Sequence, residues 1–179
     1  MKSTTLLFTL LFSFVSFAQN GEESDTSLPQ NEFRINMSNL IAFKWVDISY
    51  ERILNEESAI GVGTLFTLDS DSEGLEEYRT FSITPYYRHF FSIKYAKGFF
   101  VEAFGMLHTS KGEDEYLFDA PTREGENHTN FAVGISAGGK FVTKRGFVAE
   151  IYLGIGRDLL KDSTNEVVGR GGISIGYRF

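Results

Sequence analysis

GRGGISIGYRF, from Gly169 to Phe179, alternates without a break over its second half. Ile173, Ile175, Tyr177 and Phe179 occupy the odd positions, and Gly172, Ser174, Gly176 and Arg178 the even ones. Side chains that alternate apolar with small or polar at a period of two belong to a strand with two unlike faces. Reading back from this segment, the same alternation recurs along most of the chain.

Seven further segments repeat it. Phe33, Ile35 and Met37 alternate with Arg34, Asn36 and Ser38, and after a connection near Asn39 to Lys44, Val46, Ile48 and Tyr50 alternate with Asp47, Ser49 and Glu51. Past a tight turn at Asn55 to Ser58, a strand carries Ile60, Val62, Thr64 and Phe66 against Gly61 and Gly63. The fourth runs from about Tyr78 to Phe90, the fifth begins at Phe99, the sixth holds Phe131, Val133 and Ile135, and the seventh runs from Phe147 past Ile155. No helix is expected between any pair. Short connections at residues 55–58, 92–97 and 142–145 alternate with longer ones at residues 69–77, 110–127 and 157–166, as hairpins and outer loops do in an up-and-down barrel. Lys97-Gly98-Phe99 with Glu102 is echoed by Arg145-Gly146-Phe147 with Glu150, which predicts one turn chemistry used twice. Pro85 sits inside the fourth strand, where its missing N–H predicts a local bulge.

The amino terminus has a different character. Lys2, an apolar run from Leu6 to Phe17 and Ser16-Phe17-Ala18 have the form of a secretory signal peptide, too short to span a bilayer. A polar leader follows over residues 19–30, leaving residues 31–179 for the barrel. With no cysteine in the chain, neither disulfides nor a lipid-modified cysteine is expected. Removing residues 1–18 takes away only Lys2, leaving 16 basic against 24 acidic residues, a balance of −8. That balance argues against a nucleic-acid partner, whose phosphates require a basic face.

The polar face of the strands carries Arg34, Asp47, Glu51, Arg88, Glu102, Lys140, Glu150, Arg170 and Arg178 among glycines and serines. Small residues there suit the narrow lumen of an eight-stranded barrel. Phe33, Tyr50, Tyr87, Phe99, Phe141, Phe147 and Phe179 fall at strand ends on one side, where an aromatic girdle would lie. An all-β fold follows: an eight-stranded antiparallel up-and-down transmembrane β-barrel.

The whole of residues 33–179 resembles the small eight-stranded outer-membrane barrels of Gram-negative bacteria, such as the barrel domain of outer membrane protein A and the outer membrane protein X group. The terminal Tyr177-Arg178-Phe179 resembles the aromatic-x-Phe signal that closes such barrels. The resemblance implies an outer-membrane location, insertion by the barrel assembly machinery through Tyr177 and Phe179, contact with lipid and lipopolysaccharide, and a monomer without cofactor.

If the turns centre near residues 95 and 145, Arg88 lies opposite Glu102 and Lys140 opposite Glu150. Charges removed from water must pair. Arg34, Glu51, Arg88, Glu102, Lys140, Glu150 and Arg178 are therefore expected to form a plug, although a narrow pore would use the same residues. His108 and His128 flank the longest loop on the polar face. Barrels of this shape include lipid A deacylases and palmitoyltransferases that use histidine with serine and an acid, but Thr129-Asn130 follows His128 where a serine would be wanted. His89 has outward parity.

Asp69 to Gly74 has the start of a calcium loop, but Thr80 stands where its closing glutamate belongs, so no metal is expected. The acidic loop 110–127, with Tyr116-Leu117-Phe118 at its centre, is a candidate for a surface partner. The Gly-rich segments open no helix, which excludes a nucleotide site. The expected role is structural or surface-interacting. A lipid A-modifying enzyme, a narrow pore and a soluble exported lipocalin-like barrel are the alternatives.

Overall fold

The computed structural model describes residues 29–68, 79–92, 94–110, 115–117, 120–123, 128–159 and 167–179. The expected signal peptide and the loops at 69–77 and 160–166 lie outside them. In chain order the elements are β1 (Asn31–Asn36), α1 (Met37–Phe43), β2 (Trp45–Ile53), β3 (Ser58–Thr67), β4 (Phe81–Phe90), β5 (Gly98–Ser110), β6 (Glu115–Leu117), β7 (Ala120–Arg123), β8 (His128–Val142), β9 (Phe147–Asp158) and β10 (Val167–Arg178). Eight of the strands close one antiparallel barrel in the order β1-β10-β9-β8-β5-β4-β3-β2. Apart from the closing β1–β10 pair, every neighbour is a sequence neighbour once the small β6–β7 hairpin within the long loop is set aside. Asn31 and Phe179 exchange both backbone hydrogen bonds, at 2.9 and 2.8 Å, where the first and last strands meet.

The wall strands turn their charged, polar and small positions inward, together with a few large residues such as Phe90, Phe100, Phe104 and Met106, and keep most aliphatic side chains outward. Along β9, Val148, Glu150, Tyr152 and Asp158 are buried, while Ile151, Leu153 and Ile155 are 57 %, 77 % and 60 % exposed. In β8 the same rule buries Ser136 and Lys140 and leaves Ile135 63 % exposed. The seven strand-end aromatics from Phe33 to Phe179 are all outward and exposed. Exposed aliphatic and aromatic side chains thus cover the outer wall, while the buried charged side chains lie within it.

The inward glycines are spaces for large neighbours. Tyr86 pairs with Gly61, Phe100 with Gly138, Phe104 with Gly134 and Arg34 with Gly176, each directly across a strand pair. A methyl group on Gly134 would come within 2.5 Å of both the Phe104 ring and the Ile155 carbonyl. Gly134→Ala is therefore expected to cost about 1–3 kcal/mol through overpacking, measurable by urea unfolding of the refolded barrel. A change below a few tenths would mean that the Phe104 ring can move aside.

Gly98 and Gly146 both have positive φ, 99° and 86°. The Gly146 N–H itself closes the 143–146 turn, whereas Gly98 follows the turn closed by Lys97 on Lys94, so the turns are not one geometry used twice. Two further expectations are corrected. The first is the β1–β2 connection, which is the helix α1 and not an irregular link. Asn36 ends β1 and caps α1 by accepting the Asn39 N–H at 3.2 Å, and Lys44 closes the helix in the left-handed region at φ 54°. Met37, placed in a strand by its alternation with Ile35, is the first helical residue. The second is Pro85, which causes no bulge. The register of β4 with β5 is the same on both sides of it, and the ladder omits only Thr84 and Pro85. The ladder to β3 runs through Pro85 opposite Val62. A missing N–H thus removes a rung without shifting the strands.

Candidate functional site

The lumen is filled from the end that carries the termini. Turn residues close that end: the Ala96 N–H donates to the Glu56 carbonyl at 2.7 Å, drawing the 92–97 turn beneath the barrel. Ile53, Ala59, Phe90, Ala96, Phe100 and Tyr152 form an apolar cluster there. Arg178 ties the turn to the wall, donating to the Ala96 carbonyl at 2.6 Å and the Tyr95 carbonyl at 3.2 Å. Partial burial lifts the Tyr95 phenol above its ordinary range, opposed by Arg178 and Arg52.

The structure places all seven expected plug residues in one contiguous ion-pair network. Arg88 is its centre. It contacts Glu102 and Glu150 at 2.6 Å each and Glu51 at 3.0 Å, with its guanidinium 3.8 Å from the centroid of the Phe100 ring. Arg34 reaches Glu51 at 2.9 Å and Glu150 at 3.4 Å. Lys140 sits between Glu32, at 2.7 Å, and Glu51. The turn-based registers hold, with Arg88 paired to Glu102 and Lys140 to Glu150. The Lys140 ammonium nevertheless lies 3.9 Å from Glu150 and turns across the lumen to the other two carboxylates.

Four residues outside the expected set complete the network. Glu32 accepts from Arg34 at 2.8 Å and from Arg178 at 2.6 Å. The Tyr86 hydroxyl accepts from Arg34 at 2.7 Å and donates to Glu51 at 3.1 Å. Arg170 binds Glu102 from above, and Ser136 donates to the same carboxylate at 2.8 Å. Four glutamates thus face Arg34, Arg88, Lys140 and Arg178 in near charge balance, with Arg170 as the link to the opposite half. Such a cluster locks the wall strands together, since a single missing partner strands a charge away from water.

Around and beyond Arg170 the lumen holds a second buried apolar cluster of Tyr86, Phe104, Met106, Ala132 and Val168. Asp47 accepts from the side-chain amides of Asn36 at 3.0 Å and Asn39 at 2.8 Å. Nearer that rim, His108 Nε2 lies 2.8 Å from Asp158, and its Nδ1 has no hydrogen-bond partner. A base and an orienting acid are therefore in reach, and buried Ser82 is the cross-strand neighbour of His108, although no hydrogen bond joins it to the histidine Nδ1; the Ser110 and His128 side chains lie outside those described. Among the described residues no group of three or more His, Cys, Asp or Glu is placed to hold a metal ion. His89 lies on the outer surface, edge-on to Phe91 at 4.7 Å.

Comparison with family models, with characterised proteins and with solved structures returns no match. Function must be argued from the barrel itself.

The two terminal aromatics stand apart from the network. Tyr177 and Phe179 point outward, 51 % and 57 % exposed, on the strand that closes the barrel against β1.

Proposed function

We propose that this chain is an integral outer-membrane β-barrel, similar in kind to the barrel of outer membrane protein A and the outer membrane protein X group, with a structural or surface-interaction role. One observation carries the reading: a buried ion-pair network fills the inside while the outward positions of the wall are mostly exposed apolar side chains. An outer surface of exposed Ile, Leu, Val and Phe around the whole wall far exceeds the apolar patches that soluble monomers tolerate. A closed barrel also satisfies its backbone groups within the wall, as lipid requires. The ion-pair network makes it a plugged scaffold.

In this reading the protein acts as a monomer without cofactor. The segment 1–18 directs export, and the closed end with the termini faces the periplasm. Lipid and lipopolysaccharide surround the wall, and Tyr177 with Phe179 is what the assembly machinery reads. The segment 110–127, whose described part is the β6–β7 hairpin, is the part of the chain offered to a surface partner.

Fractionation of the native envelope tests this reading. The protein should be recovered with the outer membrane and should run faster on SDS gels without boiling than with it. Release by osmotic shock, with no shift on boiling, would overturn it. Phe179→Ala should lower the amount inserted in cells while leaving refolding in detergent intact. Normal insertion would remove the proposed role of the terminal aromatic.

A further inference from the structure

The wall is not uniform in height. β1 has six residues, against nine in β2 and twelve in β10. Its last pairs are Ile35 with Ile48 and Asn36 with Ser174, so Trp45 to Asp47 on one side and Val167 to Ile173 on the other have no strand between them. Ser174 is five residues from the chain end, about 17 Å along the strand, so this notch lies in the half of the barrel away from the termini. The unpaired edge of β10 is satisfied by side chains instead. Arg79 Nη2 donates to the Gly169 carbonyl at 2.6 Å, Asn36 Nδ2 to the Gly171 carbonyl at 3.1 Å, and Ser38 Oγ accepts the Ile173 N–H at 2.9 Å.

Behind the notch is a cavity of about 370 Å³, bounded by α1, β2, β3, β4 and β10. Its lining includes inward-facing Asp47, Thr84 and Arg170 together with outward-facing Leu153 and Gly171, so it reaches through the wall. Gly171 and Gly169 are level with Leu153 and Ile155, two of the most exposed residues of the apolar belt. The opening therefore faces whatever the belt faces.

The chemistry inside is that of an anion site. Arg79 is only 9 % exposed, and its Nε has no partner. Arg170 lines the same space. One acid, Asp47, lines the same cavity, with the Asn36 and Asn39 amides both donating to its Oδ2. Two guanidinium groups stand against that single carboxylate, and Ser82 and Thr84 add hydroxyl donors. At the lip, Phe43 and Trp45 rest ring on ring with centroids 5.0 Å apart.

We propose that this notch binds a carboxylate or phosphate oxyanion borne on an apolar chain, the head on Arg79 and the chain leaving sideways past Trp45 and Leu153. The sideways path rests on the membrane reading above; the anion site does not. Buried donors beside an apolar exit match an amphiphile in both parts.

Trp45 is the single tryptophan of the chain, so its fluorescence reports on the notch alone. The full chain refolded in an uncharged maltoside detergent would be titrated with dibrominated stearate, a contact quencher, and with its methyl ester. Saturable quenching by the acid, at about tenfold or more lower concentration than the ester, is expected. Arg79→Gln should weaken the acid by about tenfold and leave the ester unchanged, while Arg79→Lys should retain most of the affinity. Competition by inorganic phosphate would assign the site to free oxyanions as well, and no competition would assign it to the amphiphile. Equal quenching by acid and ester in the unaltered protein, or acid quenching indifferent to Arg79→Gln, would overturn the proposal. A boiling shift on the same samples reports the barrel separately, so loss of the shift would count against the membrane reading and loss of acid selectivity against the site.

Discussion

Arg88→Met is expected to destabilise the barrel by about 3–5 kcal/mol, the usual penalty for removing one partner from a buried ion pair. The substitution keeps much of the side-chain volume but leaves Glu51, Glu102 and Glu150 facing one another around an uncharged centre. Urea unfolding of the protein refolded in lipid vesicles, followed by the boiling shift, measures the loss. Adding Glu102→Gln should recover part of it, because residues in one network do not act additively. A loss below about 1 kcal/mol would mean that water reaches the cluster and screens it.

On the opposite face, Ile135→Arg should cost about 2–4 kcal/mol in lipid, as for a cation at the midplane of a membrane barrel. Ile135 is the central residue of β8 and its side chain is 63 % exposed. On a water-facing wall the same change would be within about 0.5 kcal/mol of neutral. The pair of substitutions is therefore diagnostic: the buried charge is needed where intuition expects a core, and the exposed isoleucine resists charge where intuition expects a surface. Refolding yields and unfolding midpoints of the variant in vesicles, compared with those of Ile135→Ala, give the measurement.

The strands were legible because the outer face is almost uniformly apolar, so the period of two survives in nearly every wall segment even where Phe100, Phe104 and Met106 turn inward. Register followed where turns are short. The turns at 92–97 and 143–146 leave little freedom, and the Arg88–Glu102 and Lys140–Glu150 pairings came from counting outward from them. What crosses the lumen was not legible. Lys140 reaches Glu32 and Glu51, 108 and 89 residues away in sequence, and strand parity gives only which face a residue occupies, not its partner across the interior.

Glu32 was missed because it precedes the first apolar residue of β1 and blends with the polar leader. Tyr86 was missed because an aromatic on the inner face resembles packing until its hydroxyl is seen between Arg34 and Glu51. The helix was hidden by Met37, which extends the alternation of Phe33 and Ile35 by one false step. Asn36 was the available sign, since an asparagine ending a strand is a good helix cap. Arg79 gave no sign at all, because its place in the notch depends on how early β1 ends.

The medium that the outer wall meets decides between a membrane barrel and a water-soluble one. Since the chain has no cysteine, single cysteines at Ile135, at Leu153 and, as a water-exposed reference, at Lys144 in the 143–146 turn can each carry one nitroxide spin label. Power saturation of these labels in lipid vesicles should show Ile135 and Leu153 accessible to oxygen and shielded from a water-soluble nickel chelate, with Lys144 the reverse. Equal access of the chelate to all three positions would mean that the apolar wall faces water, and the membrane reading would be wrong.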